Sequence, residues 1–199
     1  MAPPGASTGS GAEATGPGSA TGPGAAADPA GEARLALVVP MMRGLLAQRT
    51  DDCDRPYRRV VVQSLSTPAV LAALAVPGAR ETLVTPPLTT DHLIRTKALP
   101  LWVEGLDYDD PVKLQEQLEA AVRAYCEAYE AYLGRHAGSM PPGVQPFDPL
   151  PRVVLVPGLG AFCAGADLRE SIIARDITEH TLAVKSLVSA TGSYEGLPE

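Results

Sequence analysis

Cysteine and histidine are scarce in this 199-residue chain, three of each, and their placement excludes as much as their number. Cys53, Cys126 and Cys163 form no Cys-x-x-Cys pair, and an odd count fits reduced thiols rather than a disulfide framework. His92, His136 and His180 show neither His-x-His nor His-x-x-x-His spacing, so no metal site is expected from them. No apolar run approaches the roughly 20 residues that span a bilayer. The start has neither the basic residues nor the continuous apolar stretch of a secretory signal. Positive charge is also in deficit. A net charge of −7 and a sequence pI of about 5.0 argue against a nucleic-acid backbone as the main partner. The expectation is a cytoplasmic protein with no membrane and no nucleic-acid partner.

What is abundant comes in two parts. Residues 1–31 are almost entirely Ala, Gly, Pro, Ser and Thr, with Glu13 and Asp28 the charges among them. Such a segment has too little apolar side chain to offset the entropy of ordering it and reads as a disordered tail. Residues 32–199 read as one α/β domain. Arg34 to Gln48 is partly helical, with Pro40 at a start or a break. Arg59 to Ser64 reads as a strand, Thr67-Pro68 as the cap and first residue of a short helix, and Glu81 to Thr85 as a second strand. From Asp110-Pro111 a long helix carries Leu114, Leu118, Ala121, Val122, Tyr125, Tyr129, Tyr132 and Leu133 at three- and four-residue steps. Those tyrosines read as core residues with hydroxyls at the rim, and Cys126 as a core thiol beside them. Val153 to Val156 reads as a buried strand, and the helix after Asp167 places Ile173, Ile177, His180, Val184, Leu187 and Val188 on one face. The alternation favours a small parallel sheet with helices on both faces, a three-layer α/β/α arrangement.

Two segments carry candidate chemistry. Gly158, Gly160 and Gly165 follow the Val153 strand as a glycine-rich turn, and Asp167 with Glu170 resembles a capping box opening a helix. A strand–turn–helix with exposed amides can hold a phosphate or carboxylate, and Gly158 and Gly160 are its candidate residues. Cys163 is then the one cysteine placed near a ligand. The spacing does not match the dinucleotide fingerprint, since Gly165 comes two residues late and no acidic residue ends a second strand. The second segment is Thr89–Lys97, where Asp91, His92, Arg95 and Lys97 stand together and Thr89 or Thr90 can cap a helical turn that puts Asp91 and Arg95 on one side. Arg95 and Lys97 can grip an anion while Asp91 fixes the His92 tautomer. The plainer alternative is a surface turn knit by an Asp91–Arg95 pair. Arg55, Arg58 and Arg59 read first as a solvated strand edge, His180 as a packing residue, and His136 as a complement to a helix dipole.

These segments resemble a known family. Asp91-His-Leu-Ile-Arg-Thr-Lys97, Leu99-Pro-Leu101, Val154-Leu-Val-Pro-Gly-Leu-Gly160 and Ile177-Thr-Glu-His180 are similar to the bifunctional rhamnulose-1-phosphate aldolase/short-chain dehydrogenase proteins. Pro40-Met-Met-Arg-Gly44 is similar to the part following that family's aldolase zinc site, and Gly192–Glu199 to the join leading into its dehydrogenase half. The resemblance implies a class II aldolase-related sugar-metabolism protein and a phosphorylated sugar or similar anion as ligand. It also implies that zinc and NAD belong to parts of such a protein that this chain lacks, so neither cofactor is expected here. Its other implication is an interaction module that docks with separate aldolase or dehydrogenase chains, or a homo-oligomer.

Overall fold

The computed structural model describes residues 28–195. Most of the expected tail, residues 1–27, lies outside them. The folded chain begins with α1 (Pro29–Leu45), so residues 29–31 are helical and not tail. Its start is capped by the Asp28 side chain, which accepts from the Ala30 N–H, with Pro29 in the first turn. A two-stranded antiparallel ribbon follows, β1 (Gln48–Arg49) and β2 (Tyr57–Arg58), then β3 (Val61–Leu65), α2 (Pro68–Ala75), α3 (Ala79–Leu83) and α4 (Thr90–Thr96). The rest comprises β4 (Leu101–Trp102), α5 (Pro111–His136), β5 (Val153–Val156), β6 (Gly160–Gly165) and α6 (Leu168–Ser189). Among the described residues no helix is long and apolar enough to cross a membrane.

The main sheet runs β3-β6-β5-β4, and helices cover both of its faces. Strand alternation divides the core in two. Val154 and Val156 of β5, with Phe162 and Ala164 of β6, pack among Val38 and Met42 of α1 and Leu114, Leu118 and Val122 of α5. Val153, Leu155, Ala161 and Cys163 face the other way, onto Val70 and Leu74 of α2, Leu83 of α3 and Ala174 and Leu182 of α6. The three-layer α/β/α class is therefore present.

The sheet is mixed rather than parallel. Only β4 and β5 run parallel, with Leu101 opposite Val154; β5–β6 and β6–β3 are antiparallel. The reason is the length of the glycine turn. Val156 pairs with Gly160, so three residues connect β5 to β6, far short of the dozen or more a parallel crossover needs. The expected glycine-lined gap is thus a tight hairpin followed by a buried strand. Cys163 lies inside that strand, fully buried, and burial pushes its thiol up to about 12. It is a core residue.

Three more expectations change. Glu81–Thr85 is not a strand: Gly78, at φ +77°, turns the chain back into a helix, and α3 occupies Ala79–Leu83. Pro40 neither starts nor breaks α1 but sits within it. Both Pro40 and Ala36, whose carbonyl the proline leaves without its helical donor, are exposed, so water can take the missing bond. On α6 the buried stripe is Ser171, Ala174, Thr178, Leu182 and Lys185, while Leu187 is 70% exposed. Small side chains bring this helix close to the sheet. Its buried hydroxyls are satisfied by the helix itself, Thr178 donating to the Ala174 carbonyl at 2.7 Å and Ser171 to Leu168 at 2.9 Å.

Two of the glycines are required by packing. A Cβ on Gly160, at φ +109°, would stand 2.3 Å from the Leu65 carbonyl oxygen; one on Gly165 would stand 2.3 Å from the Ser171 amide nitrogen. Gly158, at φ +80°, faces open space. Gly160→Ala should therefore destabilise the fold by about 3 kcal/mol or more, through backbone clash inside a packed core. Gly158→Ala should cost about 1 kcal/mol, the left-handed backbone alone. Urea midpoints of the two variants check this, and equal losses would contradict it.

Candidate functional site

The Thr89–Lys97 segment is a short helix held at both ends. The Thr89 hydroxyl accepts from the His92 N–H at 3.2 Å, so Thr89, rather than Thr90, caps α4. At the other end Lys97 turns the chain with φ +64°, the one positive φ among described non-glycine residues, and its N–H reaches the Leu93 carbonyl at 2.9 Å. This turn sends the Lys97 side chain inward, where the residue is 4% exposed. Its ammonium donates to the Asp148 backbone carbonyl, stands 4.0 Å from Asp148 Oδ1 and lies 4.1 Å from the centre of the Tyr129 ring.

Asp148 is the centre of this cluster. Its two carboxylate oxygens take both terminal nitrogens of Arg152, Oδ1 at 3.1 Å, and Oδ1 also accepts the Leu150 N–H at 3.1 Å. Burial works against the Asp148 carboxylate, yet the bond from Arg152 and the nearby Lys97 outweigh it and hold the carboxyl below its usual value. Burial likewise lowers the Lys97 amine, to about 8, against the opposing pull of Asp148. Tyr125 donates to the Leu99 carbonyl at 2.9 Å, tying the same exit to α5. Of the stripe tyrosines, Tyr125 packs against the core with its hydroxyl at the rim, as the helical stripe implies, whereas Tyr129 and Tyr132 are only half-buried and lie outside the core cluster.

Of the four residues that stand together in sequence, three stay on α4 and Lys97 turns away into the interior. Asp91 and Arg95 are exposed on α4, whereas Lys97 is committed to Asp148. The His92 ring meets the His180 ring edge-on, 6.4 Å between centres, and His92 Nδ1 is buried with no hydrogen-bond partner among the described residues. Gly158 and Gly160 are farther away still. Residue 97 precedes β4, which runs parallel to β5, so α4 leaves beside the start of β5 while the glycine hairpin closes its end. Of the expected Arg95–Lys97 grip, Arg95 stands at the surface while Lys97 is buried against Asp148, and the glycine turn remains a separate segment. The sequence pattern singles out neither Asp148 nor Arg152 and places Tyr129 in the core stripe; Asp148-Pro-Leu-Pro-Arg152, an acid and a base with two prolines between them, is the available signal.

Among the described residues no three of His, Cys, Asp and Glu come together as metal ligands, and the His92–His180 pair has no third donor. The hairpin also lacks the strand–turn–helix geometry that a dinucleotide phosphate uses.

The sequence matches the family described as "Aldolase class II, second domain" over residues 33–199. The chain belongs to that family. This class II aldolase second domain is also similar to a Bacillus subtilis (strain 168) protein described as "Uncharacterized oxidoreductase YuxG", with 28% identity over 172 residues. The alignment covers 83% of the chain but 22% of that relative, so the domain spans about a fifth of its length. No solved structure matches the domain significantly.

Removing Asp148 tests the clamp. Asp148→Asn leaves the buried Lys97 ammonium and the half-buried Arg152 guanidinium without a carboxylate, and should destabilise the domain by about 2–3 kcal/mol near neutral pH. Because the folded Asp148 carboxyl titrates below its unfolded value of 3.8, its contribution is complete above that pH and disappears as pH falls further. The gap between wild type and variant should close on acidification, measured by denaturant midpoints at neutral and acid pH. A gap that persists unchanged in acid would show that the carboxylate charge is not what matters.

Proposed function

We propose that this class II aldolase second domain is a docking domain of a sugar-metabolism protein of the rhamnulose-1-phosphate aldolase/dehydrogenase kind. It binds the chain or domain that carries the aldolase chemistry, and a phosphorylated sugar is the substrate of the assembly rather than of this domain alone. One observation carries the reading. α4 has no buried residue, yet Leu93, Ile94 and, just beyond, Leu99 are 42%, 57% and 40% exposed. A seven-residue helix has little stability of its own. This one is fixed by the Thr89 cap, the inward Lys97 and the Tyr125 bond, so its outer side is a rigid, pre-formed apolar surface. Asp91 and Arg95, exposed beside it, supply the polar rim of an interface. That the domain spans about a fifth of its relative's length gives it neighbours to dock with in such a protein.

The test is a titration with a zinc-bearing rhamnulose-1-phosphate aldolase chain, followed by size exclusion with light scattering. The wild-type domain should form a discrete complex. Leu93→Ser combined with Ile94→Ser should weaken it at least tenfold while leaving the melting temperature nearly unchanged, because both residues are exposed in the free domain. No complex with wild type, or equal affinity for the double variant, would overturn the reading.

A further inference from the structure

A second site lies behind α4, independent of its outer side. Lys185 on α6 is 1% exposed, one of few charged residues buried in the core. Its amine donates to the Thr85 carbonyl at 2.9 Å and reaches the Leu83 carbonyl, at the end of α3, at 3.4 Å. The Tyr194 ring stands 5.2 Å away and is itself anchored through its hydroxyl to the Pro87 carbonyl at 3.0 Å. Thr85, Pro87, Pro100, Leu155 and Leu182 join Lys185 around a mainly apolar cleft of about 40 Å³.

Capping two carbonyls explains where this amine points. It does not explain a buried amine with no acid to balance it among the described residues. The chain has three lysines, and the other two are matched with carboxylates: exposed Lys113 with Asp107 at 2.8 Å, and Lys97 with Asp148. Burial lowers the Lys185 amine to about 8, and no carboxylate of the described residues contributes. The bond to Asp107 instead raises that of Lys113. A desolvated lysine in an apolar pocket is the arrangement that makes an amine a nucleophile toward carbonyl compounds.

We propose that Lys185 is a carbonyl-trapping lysine that forms an imine with a short-chain aldehyde or ketone entering this cleft. At roughly 10–15 Å³ for each water-sized group, the free volume admits about three or four heavy atoms. The nitrogen lone pair adds to the carbonyl carbon while the carbon–oxygen π pair moves to oxygen. The two nitrogen-bound protons pass to that oxygen, which leaves as water as the carbon–nitrogen double bond closes. No electron is gained or lost, so the step needs no co-reactant.

Reductive trapping tests it. The folded wild-type protein is treated with glycolaldehyde and sodium cyanoborohydride at neutral pH, and modified amines are located by peptide mapping and mass spectrometry. With three lysines and one amino terminus, the assignment is unambiguous. Lys185 should be modified at least tenfold faster than exposed Lys113, and the preference should vanish in urea, where the cleft is gone. Lys185→Arg keeps a donor for the Thr85 and Leu83 carbonyls and should lose the label. Modification of Lys113 and the amino terminus with Lys185 untouched, or a preference that survives in urea, would overturn the proposal. If the arginine variant does not fold, the folded-against-urea comparison on wild type decides it alone.

Discussion

Burial of β5 and β6 on both faces constrains everything else in this domain. Each residue of Val153–Val156 and Gly160–Gly165 is buried, so helices must cover both sides of strands only four and six residues long. The close approach this demands is steric before it is hydrophobic. β3 ends against Gly160, and the first turn of α6 rests on Gly165 at distances no side chain would permit. Small residues on β6 and α6 extend the same logic, letting Thr178 approach to 3.6 Å from the Cys163 sulfur. Larger residues at these positions would push α6 away and open the second core.

α4 belongs to neither core. Its position is fixed by its ends, the outer one through a threonine cap and the inner one through Lys97, whose reversed backbone turns a cationic side chain into the interior. Buried charge of this kind is a weak source of net stability, since desolvation consumes most of the attraction. What it supplies is a single geometry. Asp148, Arg152, Lys97 and Tyr129 together set the angle at which α4 leaves for β4, and hence the direction in which Leu93 and Ile94 face solvent. The proposed docking role draws on that exposed surface together with a relative several times longer than the domain.

Much of the fold is legible in the sequence where a physical signal is local. The stripe from Leu114 to Val122 and the Asp110-Pro111 start give α5; threonine caps give α2 and α4; the aliphatic run gives β5. β6 is hidden because Gly-Ala-Phe-Cys-Ala-Gly has turn composition, and only its neighbours' closeness makes those small residues right for a buried strand. The direction of the sheet follows from the same misreading. α6 misleads for a related reason: its isoleucines and valines suggest the core side, but the helix lies too near the sheet for them, and serine, threonine and a lysine stem go inward instead. Of the candidate site, the sequence showed α4 and its cap. It did not show that Lys97 is buried, because a left-handed turn at a lysine leaves no compositional trace, nor that Asp148 lies 51 residues away to receive it.

Hydrogen–deuterium exchange on the domain alone and mixed with an aldolase chain bears most directly on the docking role. The account predicts slower exchange centred on Thr89–Leu99, with the β5–β6 hairpin unchanged. Exchange in that segment indifferent to the aldolase chain, or protection elsewhere on the domain, would contradict it.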